Sequence, residues 1–288
     1  MIPKIIHYIW LGGKEIPESL RTYMDSWHQM MPDWEMRGWT EETLTKCLMI
    51  SDECLDKTWL DYMPLYVRQA YEAKKYAFAS DYIRLWALEQ FGGVYLDTDV
   101  EVIRAFDDER LTISGKSLLE DTAFIGFEES LAHLPGTCVM GCEAHSKWVK
   151  DMLATYEGAE FVKKQETKNE KRELRRERQE YDLTTNVQRM GKAMVEKYGL
   201  IPNGKEQVLR IEEEGKRTEE VHVYDHHYFS PITSTRVMRR NKNTYAIHHF
   251  AASWTGKKTF IGKLQDNVIV CEILNIFIQI KRLIRKYV

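Results

Sequence analysis

Apolar and polar positions along this 288-residue chain change their period several times, and each change predicts an element. A short apolar run in residues 1–13 ends in two glycines and predicts a first strand. Residues 17–30 carry apolar side chains at helical spacing, and residues 34–39 return to a strand-like pattern. This order of strand, helix and strand predicts an α/β fold that begins with a β-α-β unit.

The alternation of helices and strands continues through the middle of the chain. An apolar stripe of aromatic, alanine and isoleucine side chains precedes Gly92 and Gly93, which we expect to stop a long helix. A buried strand then leads into Asp97 and Asp99. The pattern predicts helices over 41–61, 70–90 and 146–156, and strands over 124–127, 137–140, 221–229 and 245–254.

Two segments differ from this core pattern. Residues 163–180 are a dense run of mixed charge, which predicts a solvated helix or a mobile excursion within about 160–182. Residues 260–288 have apolar side chains at helical spacing and basic residues at the end, which predicts a basic amphipathic helix. Such a helix suits an anionic membrane surface, docking on the core or dimerisation. We therefore divide the chain into a domain over 1–259 and a helical segment over 260–288.

Composition narrows the function classes. The formal net charge of -3 excludes a globally basic nucleic-acid-binding protein, and we expect no nucleic-acid partner. Five cysteines form no Cys-x-x-Cys pair, which favours reduced thiols in a reducing compartment. The N-terminal run lacks the features of a signal peptide, and no apolar run reaches the roughly 20 residues that span a bilayer. We expect a cytoplasmic protein, with the C-terminal helix allowing peripheral attachment at the inner membrane face.

Two pairs of charged residues carry the candidate chemistry. Asp97 and Asp99 end an apolar run, and side chains at i and i+2 of an extended segment share a face. They can therefore converge on one hard cation that prefers oxygen ligands. Asp81 and Arg84 are three residues apart on the predicted helix, beside an otherwise apolar stripe. This pair is a surface ion pair or part of a ligand site, and we favour the ligand site.

Four motifs occur in order: Ile6-His-Tyr-Ile-Trp-Leu-Gly-Gly13, Ala79-Ser-Asp-Tyr-Ile-Arg84, Gly92-Gly-Val-Tyr-Leu-Asp-Thr-Asp99 and His248-His-Phe-Ala-Ala-Ser-Trp254. Together they resemble the retaining glycosyltransferases with a sugar-binding Asp-x-Asp region, which include fungal initiating mannosyltransferases and bacterial capsule enzymes. The glucosyltransferase domains of large clostridial toxins are more distantly similar. The resemblance spans residues 2 to about 255. It implies a GT-A-type nucleotide-sugar-binding fold, with a mixed central sheet flanked by helices.

The resemblance also implies roles for individual residues around the donor. Asp81 and Arg84 match positions that hold the sugar hydroxyls and the sugar-phosphate region. Asp97 would contact ribose, donor sugar or metal-bound water, and Asp99 would ligate the metal directly. Tyr95, in the same motif, joins the donor-binding set. Manganese is the expected cation, with magnesium as the second choice.

Residues nearer the two ends of the domain complete the implied site. Trp10 matches an aromatic residue that stacks on the nucleobase, and Trp254 would lie against the donor phosphates with Ser253 as a weaker companion. His249 lies five residues before Trp254 and would be a further metal ligand, whereas we interpret His248 as a buried strand histidine. Asn186, in the sequence Leu-Thr-Thr-Asn-Val, is the last candidate. It is either a polar residue of the donor or acceptor site or a helix cap.

The resemblance implies retention of the anomeric configuration. No residue stands out as a nucleophile, so we favour front-face attack in which Asp81, Arg84 and Asp97 position and stabilise the reacting groups. The expected donor is a hexose or N-acetylhexosamine on a nucleotide, with UDP favoured by the context of Trp10. The expected acceptor is a glycan or lipid-linked saccharide in surface polysaccharide synthesis.

Other functions remain open at this stage. An Asp-x-Asp after an apolar run also opens haloacid-dehalogenase-type phosphatases, but here the fifth position is Glu101 and no late Gly-Asp motif follows. A toxin-like enzyme that glycosylates proteins is another alternative. A non-catalytic nucleotide-sugar-binding module would bind the donor without turnover.

Overall fold

The first strand, helix and strand form as the pattern predicts. They are β1 (Ile5–Ile9), α1 (Glu18–Met30) and β2 (Glu35–Trp39), and β1 pairs with β2 in parallel. Such parallel pairing requires a crossover, which α1 provides. The computed structural model describes residues 1–48, 57–108, 117–129, 133–163, 180–215, 217–233 and 236–251.

The histidine of the first motif, His7, is a structural residue. The indole of Trp39 donates to its Nδ1 at 3.1 Å, so its Nε2 carries the proton and donates to the Gly92 carbonyl at 2.7 Å. Burial lowers the pKa of His7 to about 4, which keeps the ring neutral. His7 therefore joins β1 to β2 and to the glycine turn that ends the next long helix.

The helix predicted over 70–90 is in fact two helices, α3 (Leu65–Glu72) and α4 (Tyr76–Phe91). Lys74 between them has a φ of 56°, and the Lys75 N–H donates to the Ala70 carbonyl at 2.8 Å. This left-handed residue closes the first helix and redirects the chain, so α3 and α4 pack against each other. Gly92, with a φ of 62°, ends α4 as predicted.

The helical prediction over 41–61 is confirmed at its two ends. Helix α2 spans Glu41–Leu48 and a short 3₁₀ helix spans Trp59–Tyr62, while residues 49–56 lie outside the described residues.

Asp97 and Asp99 lie in a turn rather than in an extended segment. Strand β3 (Gly93–Leu96) ends just before Asp97, and β4 (Val100–Val102) begins just after Asp99. The Val100 N–H donates to the Asp97 carbonyl at 3.0 Å, which closes a four-residue turn. The prediction that the two carboxylates share the face of one strand is therefore wrong, and the turn brings them together instead.

The remaining core elements include two that the pattern did not predict, helix α6 (Asn186–Tyr198) and strand β9 (Gln207–Ile211), and one that differs from its prediction. Residues 226–229, which the pattern assigns to a strand, form a short helix whose His227 N–H donates to the side chain of Asp225. The other elements are β5 (Ala123–Phe127), β6 (Pro135–Cys142), α5 (Lys147–Ala154), β10 (Glu219–Tyr224) and α7 (His226–Phe229).

Two small pairs of strands lie outside the main sheet. Strand β11 (Ala246–His248) pairs antiparallel with β4, so His248 lies opposite Val100. Strands β7 (Val162–Lys163) and β8 (Glu180–Tyr181) pair at the two ends of the predicted charged excursion, whose middle, 164–179, lies outside the described residues. The predicted C-terminal helix over 260–288 also lies outside them.

The main sheet has seven strands in the order β2-β1-β3-β6-β5-β10-β9. Strand β1 is parallel to β3, and β5 is parallel to β10. Both β3 and β5 are antiparallel to β6, so β1, β3, β5 and β10 all run in the same direction. Their carboxyl ends therefore meet at one edge, where ligands of α/β sheets bind. The prediction of a mixed central sheet flanked by helices is confirmed.

Each face of the sheet has its own buried core. Tyr95 of β3 packs on the face that α3, α4 and α5 cover, whereas Val94 and Leu96 pack on the face covered by α1 and β4. This alternation is the period of a strand buried on both sides. Among the described residues, no helix has the length and apolar character needed to cross a bilayer.

Candidate functional site

Arg84 is the buried centre of the candidate site. Its Nη2 lies 3.0 Å from Asp81 Oδ1 and its Nη1 lies 3.2 Å from Asp97 Oδ1. Only 6% of its side chain is exposed, so the guanidinium needs these anionic partners to compensate for lost hydration. The predicted pairing of Asp81 with Arg84 is present, and Asp97 at the end of β3 joins it.

The walls of the site hold the Arg84 guanidinium in one orientation. Its Nη1 also donates to the Thr137 carbonyl at 2.8 Å, and its Cζ lies 4.5 Å from the centroid of the Tyr95 ring. The Tyr95 hydroxyl donates to Asp97 Oδ1 at 2.7 Å. Tyr95, predicted as a donor-site residue, therefore positions both the guanidinium and the carboxylate.

Asn186 supports Asp81 through the backbone. Its Nδ2 donates to the Asp81 carbonyl oxygen at 3.3 Å, and its Oδ1 accepts from the Tyr156 hydroxyl at 3.2 Å. Asn186 is the first residue of α6, and the helix cap that the sequence left open is Thr185, whose hydroxyl accepts from the Gln188 N–H. The side chain of Asn186 is thus free of the capping role and ties α6 to α4.

A second cluster lies around the turn between β3 and β4. Asp97, Asp99 and His248 offer ligand atoms that all lie within 4.8 Å of one another. His248 Nε2 is 3.3 Å from Asp99 Oδ1, and the Ala251 N–H donates to Asp99 Oδ2 at 2.8 Å. Two carboxylates and one imidazole form a donor set that fits a divalent cation.

The structure corrects the choice between the two neighbouring histidines. His249, predicted as the metal ligand, instead pairs with Glu101 at 2.8 Å and stacks on Tyr23 with ring centroids 4.2 Å apart. Because successive side chains of a strand point to opposite faces, placing His248 towards Asp99 turns His249 away. His248, interpreted from the sequence as a plain strand histidine, occupies the position beside the carboxylates.

Glu128 and Cys138 border the cluster on the other side of His248. Glu128 Oε1 lies 3.9 Å from His248 Nδ1, and these two residues and Cys138 form another group of ligand atoms within 4.8 Å of one another. Sequence reasoning missed Glu128. Its signal was the one that identified Asp97, a carboxylate directly after a buried strand, here β5.

Residues 17–122, which contain Asp81, Arg84, Asp97 and Asp99, match the family model described as "glycosyltransferase sugar-binding region containing DXD motif". Through this region the chain is similar to the DXD glycosyltransferases. Inositol phosphoceramide mannosyltransferase 3 of Schizosaccharomyces pombe is 32% identical over 106 residues, which are 37% of this chain and 26% of that protein. An uncharacterized glycosyltransferase of Acanthamoeba polyphaga mimivirus is 33% identical over 101 residues, 35% of this chain and 36% of that protein.

Among solved structures, the chain is similar to one described as PaToxG glycosyltransferase, with a TM-score of 0.43 and 17% identity. That match covers 68% of each chain. The chain spans about a quarter to a third of the length of the two curated relatives above.

The other residues predicted for the site lie outside the matched region, either after the first strand or beyond the described residues. Trp10 directly follows β1, the strand in which His7 pairs with Tyr95 of β3. The Trp10 indole donates to the Lys14 carbonyl at 2.6 Å. Ser253 and Trp254 lie outside the described residues.

Burial and charge shift the pKa values of the acidic groups in opposite directions. Burial raises the pKa of Asp81 to about 6 despite Arg84, and Asp97 adds to this effect. Burial also raises the pKa of Glu128, against the influence of His248. For Asp99, burial is outweighed by its hydrogen bonds and the charge of His248, and the pKa is lowered. The site therefore favours the ionised form of Asp99, whereas the ionised form of Asp81 lowers the stability of the folded protein.

Replacing Asp81 with asparagine is expected to stabilise the protein at pH 8 by on the order of 2 kcal/mol while lowering activity. The folded-state pKa lies above the unfolded value, so Asp81 costs stability as pH rises from about 4 to about 6. The amide removes this cost and still accepts from Arg84. Urea denaturation at pH 8 and pH 4 measures the difference, which is expected to disappear at pH 4.

The matched control is Asp182→Asn. Asp182 is ion-paired with Arg189 at 2.9 Å, and its pKa is lowered because hydrogen bonds from Thr184 and the charge of Arg189 outweigh burial. Its replacement is expected to destabilise the protein at pH 8, the opposite sign. A loss of stability at pH 8 in Asp81→Asn would contradict this account of Asp81.

Proposed function

We propose that this chain transfers a hexose or N-acetylhexosamine from a nucleotide sugar to a saccharide or lipid-linked acceptor. The observation that carries the proposal is the cluster of Asp97, Asp99 and His248 directly beside the buried Arg84. Arg84 and both aspartates lie in the segment that matches the sugar-binding region of the family. A cation-binding group next to a fixed guanidinium suits a diphosphate linked to a sugar.

The donor's sugar and phosphate are assigned to different side chains. Arg84 presents a planar fork of N–H donors, which suits anionic oxygens of the sugar-phosphate region. Asp81, largely buried and paired with Arg84, is a strong acceptor for sugar hydroxyl groups. Tyr95 and Thr137 keep the fork in place before the donor binds, so little ordering is required on binding.

Asp97, Asp99 and His248 are the residues proposed to hold the cation. Their oxygen and nitrogen donors suit Mn²⁺ better than Mg²⁺, because Mg²⁺ prefers oxygen ligands alone. When bound, the cation neutralises negative charge on the departing nucleoside diphosphate.

We also propose that the anomeric configuration is retained by front-face attack. In that reaction the acceptor hydroxyl attacks the anomeric carbon on the side that the diphosphate leaves, and a leaving-group oxygen takes the hydroxyl proton. Arg84, Asp81 and Asp97 then act by positioning and by electrostatic stabilisation rather than by forming a covalent bond. The sequence supports this mechanism because no residue stands out as a nucleophile.

The nucleotide is proposed to be UDP, on the context of Trp10 at the sheet edge. The name of the fungal relative, a mannosyltransferase acting on inositol phosphoceramide, adds mannosyl donors and lipid acceptors to the candidates. A donor panel therefore has to contain UDP-glucose, UDP-galactose, UDP-N-acetylglucosamine and GDP-mannose.

A thermal-shift panel tests the proposal. Each nucleotide sugar is added to the full chain with Mn²⁺, with Mg²⁺ or with a chelator, and slow donor hydrolysis is followed in parallel. One donor is expected to raise the melting temperature only with metal, since a ligand at 100 times its Kd stabilises by about 2.7 kcal/mol. Metal-independent binding without hydrolysis or transfer would favour a non-catalytic module, and no shift with any donor would contradict the proposal.

A further inference from the structure

The ring of His248 lies between two carboxylates. Its Nε2 is 3.3 Å from Asp99 Oδ1, and its Nδ1 is 3.9 Å from Glu128 Oε1. Phe250 covers the ring, with centroids 4.0 Å apart. Only 12% of the His248 side chain is exposed, so Nδ1 has little access to water.

The two nitrogens of this ring cannot have the same role when a cation is bound. An imidazole binds a cation through the lone pair of one nitrogen, and the other nitrogen then carries the proton. Nε2 faces Asp99, so the proton belongs on Nδ1. A buried N–H without an acceptor is unfavourable, and Nδ1 has no hydrogen-bond partner at present.

Two side chains are candidates for the acceptor. Cys138 offers only a thiol sulfur, which is a weak acceptor. Glu128 offers a carboxylate oxygen that has to move by about 1 Å to reach hydrogen-bond distance. Its backbone is anchored at the end of β5, where its N–H donates to the Leu134 carbonyl at 3.2 Å.

The chain also keeps space for this carboxylate. A Cβ added at Gly136 would lie 2.4 Å from Glu128 Cγ and 2.6 Å from its Oε1. Gly136 is paired with Gly126 across β5 and β6, next to an irregularity in their register. The glycine on β6 thus lets the Glu128 side chain lie flat against the strand and point towards His248.

We propose that Glu128 is a positioning residue: it accepts the Nδ1 proton of His248 and thereby turns the Nε2 lone pair towards the cation held with Asp97 and Asp99. This inference rests on the proposed metal site of the glycosyltransferase. A carboxylate behind a ligating histidine fixes the tautomer and the orientation of the ring. Glu128 acts through His248 and does not itself touch the donor.

Manganese affinity is the direct test, measured by electron paramagnetic resonance of free Mn²⁺ on the full chain, with the metal alone and with UDP present. Glu128→Ala is expected to weaken Mn²⁺ binding about tenfold to hundredfold. Glu128→Gln is expected to retain most of the affinity, because its amide oxygen still accepts from Nδ1. Glu129→Gln is the matched control, since the charge of Glu129 acts on His226 instead, and it is expected to bind Mn²⁺ like the unaltered protein.

The outcomes separate this inference from the proposed function. Unchanged Mn²⁺ affinity in a folded Glu128→Ala protein would overturn the inference. If His248→Ala still lost affinity tenfold or more, the proposed metal site would remain supported. Unchanged affinity in His248→Ala as well would contradict the metal site itself. Loss of transfer in Glu128→Gln with Mn²⁺ affinity retained would place Glu128 in the chemistry, as a nucleophile or acceptor-side residue, and would also overturn a positioning role.

Discussion

Replacing Asp99 with asparagine is expected to lower sugar transfer by about a thousandfold, because a bound cation contributes several kcal/mol to charge stabilisation. Asp99 lies between the imidazole of His248 and the backbone N–H of Ala251. An asparagine oxygen still accepts from Ala251, so the turn and β11 are expected to stay folded. Its neutral amide is a much poorer ligand for a hard cation than a carboxylate.

Initial rates of transfer and the affinity for Mn²⁺ are measured together for this variant. Glu101→Gln is the matched control, since Glu101 follows two residues later but pairs with His249 on the other face. We expect the control to keep both its metal affinity and its activity. Full activity of Asp99→Asn in a manganese-containing buffer would exclude Asp99 as a metal ligand.

Arg84→Ala is expected to destabilise the protein by about 3–5 kcal/mol at pH 8, the cost of removing one partner from a buried ion pair. The change leaves Asp81 and Asp97 facing each other in the interior without a cation. It also leaves the Thr137 carbonyl without its 2.8 Å donor. Nucleotide-sugar binding is also expected to be lost, because the same guanidinium is proposed to bind the donor.

The pH dependence of this loss distinguishes it from simple removal of volume. Without Arg84, the two carboxyl groups favour protonation in the folded state, so the stability deficit is expected to shrink as pH falls from 8 towards 5. Urea denaturation across this range measures it. Arg84→Lys, which keeps the charge but not the fork, is expected to lose less stability while still binding donor poorly. A pH-independent deficit would show that packing, rather than charge, dominates.

Most residues of the candidate site could be predicted because their signals are local. Asp97 and Asp99 follow an apolar run, and Asp81 and Arg84 interrupt an apolar helical stripe. Each pair is close along the chain, so its members share one short element whatever the rest of the fold does. The structure then adds the contact between the pairs, Arg84 to Asp97 at 3.2 Å, which the order of motifs alone does not describe.

Other features depend on contacts between distant segments. His248 and Glu128 are 120 positions apart in the sequence, and their meeting requires β11 to pair with β4 while β5 lies next to β6 in the main sheet. The same pairing decides that His248 rather than His249 points towards Asp99. A shift of one residue in that register would exchange the two histidines.

The sequence by itself determined the α/β character, the first β-α-β unit and the carboxylates and guanidinium of the candidate site. Their causes are periodicity and local charge, which act over a few residues. Only the tertiary structure decided that Asp97 and Asp99 meet through a turn, that α3 and α4 are separate helices, and that His248 is the imidazole beside the carboxylates. Those outcomes depend on strand register and on packing between segments far apart in the chain.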